Sequence, residues 1–154
     1  GWAWLFTTVE HWNAECLGWH LTKNGDRFAA LQPISMALTN RFGSVSADAA
    51  RGLALRMDHG PQYLSDHFQN QIKFWGIAPS FAFVAEPETN GVAERFYRTL
   101  KEQVIYGRHY QNIEELRTAI ADFIERYNQY WLVEKLGFKS PRQAYHEHQL
   151  MAVA

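Results

Sequence analysis

Four short apolar runs without helical period, interleaved with four longer segments whose apolar residues recur every three or four positions, constrain the fold most. Trp2–Val9 (WAWLFTTV) is aromatic and β-branched and reads as a strand, and Cys16–Thr22 reads as a second one across the polar turn at Asn13. Leu53–Met57, bounded by Gly52 and Gly60, has the form of a buried strand, and Ile77–Val84 is the fourth run. Helical spacing marks Arg27–Phe42, with Phe28, Leu31, Ile34 and Leu38 on one side and Pro33 as an expected kink or late start. It also marks Ser65–Trp75, stopped by Gly76, then Val92–Tyr106 and Ile113–Tyr130, where Asn112 and Glu115 form a capping pair. The tail 132–154 carries Gly137 and Ser140-Pro141 and reads as a loop followed by a short helix. The order β-β-α-β-α-β-α-α specifies a mixed α/β sandwich.

At 154 residues the chain suits one domain, and a domain of this size buries roughly 70% of the surface of its unfolded chain. Hydrophobic residues at 47% and charged residues at 20% exclude disorder as the main state. No apolar run approaches the roughly 20 residues of a membrane helix, and no basic n-region of a signal peptide is present. The single Cys16 excludes an internal disulfide framework and fits a reducing compartment. The six tryptophans, Trp4, Trp19 and Trp75 among them, are expected in the core. Fifteen Lys and Arg against sixteen Asp and Glu give a net charge of −1. A domain of that charge has no broad positive field, so any contact with nucleic acid must come from a local cluster of cations or from other domains.

Two acids stand where chemistry needs rigid carboxylates. Asp58 follows the strand Leu53–Met57 directly, and a carboxylate at a strand end is firmly held and faces the loops. Glu94 lies in the first turns of the helix Val92–Tyr106, beyond the edge of the stripe Phe96, Tyr97, Leu100 and Val104. Arg98 and Lys101 share its side, and Arg95 flanks it. Taken singly, each acid also suits a capping or solvated role.

The surroundings of the two acids resemble a family. The runs Met57-Asp58-His59-Gly60-Pro61-Gln62-Tyr63-Leu64-Ser65, Gly76-Ile77, Asn90-Gly91-Val92-Ala93-Glu94-Arg95-Phe96 and Thr99-Leu100-Lys101 resemble the integrase core of bacterial insertion-sequence transposases, relatives of retroviral integrases. Thirty-five residues separate Asp58 from Glu94, the spacing behind the family's Asp-Asp-35-Glu name. Tyr127-Asn128 and Leu136-Gly137-Phe138-Lys139-Ser140-Pro141 resemble its C-terminal signature. The resemblance implies a ribonuclease-H-like fold, a five-stranded mixed sheet flanked by helices, over 1–154, with 132–154 as a C-terminal extension. It implies that Asp58 and Glu94 are catalytic and bind Mg²⁺ or Mn²⁺ for DNA cleavage and strand transfer. The DNA it implies, transposon ends and target, is expected to meet His59, Asn90 and the cations beside Glu94, namely Arg95, Arg98 and Lys101; the alternatives are that the cations are solvated and balance Glu94 and Glu102, and that His59 is a loop residue bonded locally. It further implies a homo-oligomer in the active complex and a place at the nucleoid in bacterial cytoplasm.

The family's first Asp lies on a strand ahead of the hairpin, and only four strands are counted here. A sequence that opens at Gly1 without Met, directly in strand-like residues, is expected to be a piece truncated at its N-terminus and inactive alone. Glu10 is the one substitute for the first acid, against a plainer role as a polar residue at a strand end. His146 and His148 are expected on an exposed tail. Competing functions are an inactive DNA-binding or multimerisation module and a ribonuclease-H-like nuclease on RNA–DNA hybrids, which would have to read the RNA 2′-hydroxyl.

Overall fold

The computed structural model describes residues 1–81 and 91–153. The chain divides into two compact units, Gly1–Thr8 with Leu17–Gly91, and Val9–Cys16 with Val92–Ala154.

In the first unit, β1 (Trp4–Val9) and β2 (Cys16–Thr22) pair as a hairpin whose turn belongs to the second unit. Helix α1 (Arg27–Phe42) starts where Asp26 Oδ1 accepts the Ala29 N–H at 2.8 Å and ends at Gly43, in the left-handed region at φ 70°. Pro33 neither delays the start nor divides the helix; it is buried, and its carbonyl lies 2.0 Å from where a Cβ on Gly18 would stand. Strand β3 (Ala54–Met57) pairs in parallel with β4 (Ala78–Phe81), Met57 opposite Phe81. Between them lie the short α2 (Pro61–Leu64) and α3 (Asp66–Phe74), the latter capped by Ser65 Oγ. Phe6, Leu31, Ile34, Leu38, Met57, Phe68, Ile72, Trp75 and Ile77 form the core.

Several expectations change here. Phe28 leaves its stripe and stands on the surface, its ring 4.6 Å from that of His67. Strand β3 is not buried throughout: with a strand neighbour on one side among the described residues, Leu55 and Met57 turn inward and Ala54 and Arg56 outward. Of the tryptophans only Trp75 is buried, while Trp4 is 47% exposed. The described residues hold the four strands expected, arranged as two two-stranded sheets, and 82–84 of the fourth run lie outside them.

The second unit is helical. Helix α4 (Gly91–Leu100) continues into a π turn, Lys101–Ile105, closed by the Tyr106 N–H on the Lys101 carbonyl at 2.8 Å. The Tyr110 hydroxyl donates to the Val104 carbonyl beside it. Helix α5 (Ile113–Tyr130) opens as expected, Asn112 Oδ1 accepting the Glu115 N–H and Glu115 Oε2 the Gln111 N–H. It buries Ile120, Phe123, Ile124 and Tyr127, with the Phe96 ring of α4 edge-on to Tyr127 at 5.0 Å. Helix α6 (Pro141–Val153) follows a 3-10 turn, Glu134–Leu136. The hairpin turn docks here through polar contacts. Asn128 accepts the Cys16 N–H and donates to the Cys16 carbonyl, both at 3.0 Å, as a neighbouring strand would. Tyr127 donates to the Ala14 carbonyl and Asn13 to the Pro141 carbonyl.

Candidate metal and DNA site

Asp58 is placed by β3. Met57 is 5% exposed and anchors the strand end, so the next side chain points out of the core. Asp58 Oδ1 accepts the Gly60 N–H at 2.7 Å, a local turn that fixes the carboxylate. Among the described residues nothing donates to its Oδ2, which is open to a ligand. A Cβ on Gly60 would stand 2.9 Å from Asp58 Oδ1, so any larger residue here has to displace the carboxylate. His59, read as a phosphate contact, stacks on Phe81 with ring centres 5.2 Å apart. The Met57–Phe81 register puts that ring within its reach.

Glu94 is exposed in the first turn of α4, where unpaired backbone N–H groups favour negative charge. Phe96 and Leu100, at 1% and 2% exposure, hold the opposite face. Arg95, Arg98 and Lys101 are exposed, and none of them is in an ion pair among the described residues. The alternative, that these cations neutralise Glu94 and Glu102, therefore has no ion pair to support it. Asn90 lies outside the described residues. Asp58 belongs to the first unit and Glu94 to the second.

Sequence reasoning missed Lys135. Its Nζ donates to the His11 carbonyl at 2.6 Å, on the hairpin turn. Burial and then the Arg95 charge hold its ammonium below the usual lysine range, with Glu10 opposing. Two like charges are thus neighbours at this turn, joined from positions forty residues apart, which no local pattern signals. Glu10 is engaged in the same turn, its Oε1 accepting the Trp12 N–H at 3.3 Å, as expected of a strand-end polar residue. His148 is exposed and packs on Trp12, ring centres 5.1 Å apart.

Two family models, both described as integrase core domain, match residues 1–87 and 75–141. The chain belongs to the integrase core domain family. Transposase InsF for insertion sequence IS3A of Escherichia coli (strain K12) is 27% identical over 144 residues, 93% of this chain and 48% of InsF. The transposase for insertion sequence element IS904 of Lactococcus lactis is 33% identical over 92 residues, covering 59% of this chain and 36% of that relative. The chain thus spans less than half the length of these relatives. Among solved structures, the catalytic core domain of BIV integrase superposes with a TM-score of 0.70 at 19% identity, covering 97% of this chain and 90% of that one. The HTLV-2 integrase catalytic core domain in complex with magnesium gives a TM-score of 0.64 at 16% identity over 94% of this chain and 92% of that one. The fold is that of integrase catalytic cores, mixed α/β and ribonuclease-H-like.

Proposed function

We propose that this domain is the catalytic core of an insertion-sequence transposase, performing metal-dependent DNA strand cleavage and strand transfer. The observation that carries the reading is Asp58: one carboxylate oxygen is fixed by Gly60 and the other is open, at the end of β3 in an integrase core. An open, hard oxygen of this kind fits Mg²⁺ or Mn²⁺, which take oxygen ligands and retain waters. Asp58 and Glu94 are the residues that would hold the cation. When bound, it supplies charge stabilisation at the entering and leaving oxygens of a phosphodiester.

The chain's own residues bind and orient the DNA. Arg95 and Arg98 on α4 and Lys101 at the start of the π turn follow Glu94, in no ion pair among the described residues, and serve as phosphate contacts that hold the backbone in register. His59 on Phe81 and Asn90 take the same role in this reading. The substrate is DNA at the element's ends and at its target, the working form is a homo-oligomer, and the place of action is the bacterial nucleoid. Glu10, the one substitute for the first carboxylate of the implied triad, has its Oε1 engaged by the Trp12 N–H at the hairpin turn.

A second reading, an inactive DNA-binding module of the same family, draws on one observation: the described residues contain no cluster of three or more His, Cys, Asp or Glu able to hold a metal. Full-length protein carrying Asp58→Asn or Glu94→Gln separates the two. Both variants should bind DNA ends and fail to cleave them. Cleavage retained in either would refute the catalytic assignment.

A further inference from the structure

The short helix α2 carries an amide that neither the family resemblance nor the candidate triad uses. Gln62 Nε2 donates to the Gly25 carbonyl at 2.9 Å, joining the segment after Asp58 to the turn between β2 and α1. A carbonyl only accepts, so the amino end of the amide faces Gly25 and its orientation is settled. The oxygen end therefore turns the other way, toward Gly60. A Cβ built on Gly60 would lie 3.1 Å from Gln62 Oε1 and 2.9 Å from Asp58 Oδ1. The neutral oxygen and the carboxylate thus flank the same glycine.

The support for this arrangement is extensive. Ser65 Oγ donates to the Gln62 carbonyl at 3.0 Å, and Gln69 Nε2 to the Tyr63 carbonyl at 2.6 Å, which fixes the backbone of α2. Gly25 is pinned beneath the Trp4 indole, where a Cβ would stand 2.2 Å from the ring. Among the described residues no donor reaches Gln62 Oε1. This amide oxygen, held in a settled orientation on the glycine that Asp58 also flanks and with no protein donor among the described residues, is an acceptor left open to water.

We propose that Gln62 is a positioning residue of the Asp58 cation site, its Oε1 accepting from the hydration shell that a divalent cation keeps. The proposal rests on the reading of Asp58 as a ligand. Outer-shell partners of this kind are worth roughly 10–100-fold in metal affinity. The Gly25 carbonyl and Trp4 then act through Gln62.

The test is Mn²⁺ titration of the 154-residue chain, read as paramagnetic broadening of the Gly60 amide, with thermal midpoints measured alongside. Wild type should broaden at Gly60, and Asp58→Asn should not. Gln62→Ala should weaken binding by about tenfold. Gln62→Glu keeps the side-chain length but cannot donate to Gly25, and its added charge beside Asp58 should tighten binding. A side chain that served only as a tie to Gly25 would make both Gln62 variants weaker. Loss of binding in Asp58→Asn with no change in Gln62→Ala, or weaker binding in Gln62→Glu, overturns the role of Gln62 alone. Equal broadening in wild type and Asp58→Asn, or none in wild type, overturns the reading of Asp58 and this proposal with it.

Discussion

Asp58 ties one oxygen to the Gly60 N–H, and in the proposed reading its other oxygen meets the cation. A methyl group at Gly60 would stand 2.9 Å from Oδ1, so Gly60→Ala must push the carboxylate aside. We expect this variant of the full-length protein to need at least several times more Mg²⁺ for half-maximal DNA cleavage, at unchanged DNA affinity. An unchanged Mg²⁺ requirement would show that the approach is not functional. Along α4, loss of one phosphate contact should lower the salt slope of DNA binding by about one unit. Arg98→Ala and Lys101→Ala, each compared with wild type by salt titration across unrelated sequences, should both show it. Unchanged slopes would leave α4 as a scaffold for Glu94. Asp58 and Glu94 stand out in the sequence as candidates because their neighbours carry the family pattern. Gln62 was visible only as a letter of a motif and Lys135 not at all, since their partners Gly25 and His11 lie 37 and 124 positions away.

At the scale of elements, periodicity located α1, α3, α4 and α5, because an apolar stripe must face a core, whereas the thirteen-residue α6 was read from Ser140-Pro141 only as a short helix. It failed where packing is one-sided or local: β3 is half exposed, and the four residues of α2 are too few to show a period. The Tyr127-Asn128 signature was legible as a motif, but its role was not. It grips the hairpin turn, Asn128 at 4% exposure serving both the N–H and the carbonyl of Cys16. Asn128→Ala strands two buried backbone groups and should cost on the order of 3 kcal/mol, measured by urea unfolding of the 154-residue chain. A loss under about 0.5 kcal/mol would mean that water replaces the amide without penalty. Between α5 and α6, Arg142 bonds Glu125 at 2.8 Å and holds its carboxyl below the ordinary 4.5. That contribution is present above pH 4.5 and is lost as acidification passes through the lowered value. Thermal midpoints should fall over that range, and Glu125→Gln should flatten the fall; an equal fall in the variant would exclude this pair as a cause.

For the whole molecule, a net charge of −1 leaves no general attraction to DNA, and in the proposed reading Arg95, Arg98 and Lys101, in no ion pair among the described residues, supply a local one. The two candidate acids are carried by separate compact units, and the described residues offer no complete acidic cluster. The 154-residue chain alone should therefore neither nick nor join DNA in Mg²⁺; specific nicking by it would return Glu10 to the list of ligands. The central claim is that Asp58 and Glu94 act as metal-binding carboxylates. Its most direct measurement is cleavage of DNA ends by full-length Asp58→Cys and Glu94→Cys proteins, compared in Mg²⁺ and in the more thiolate-tolerant Mn²⁺. Cleavage should vanish in Mg²⁺ and return in part in Mn²⁺ for each variant. Undiminished cleavage in Mg²⁺ by either variant would contradict the claim.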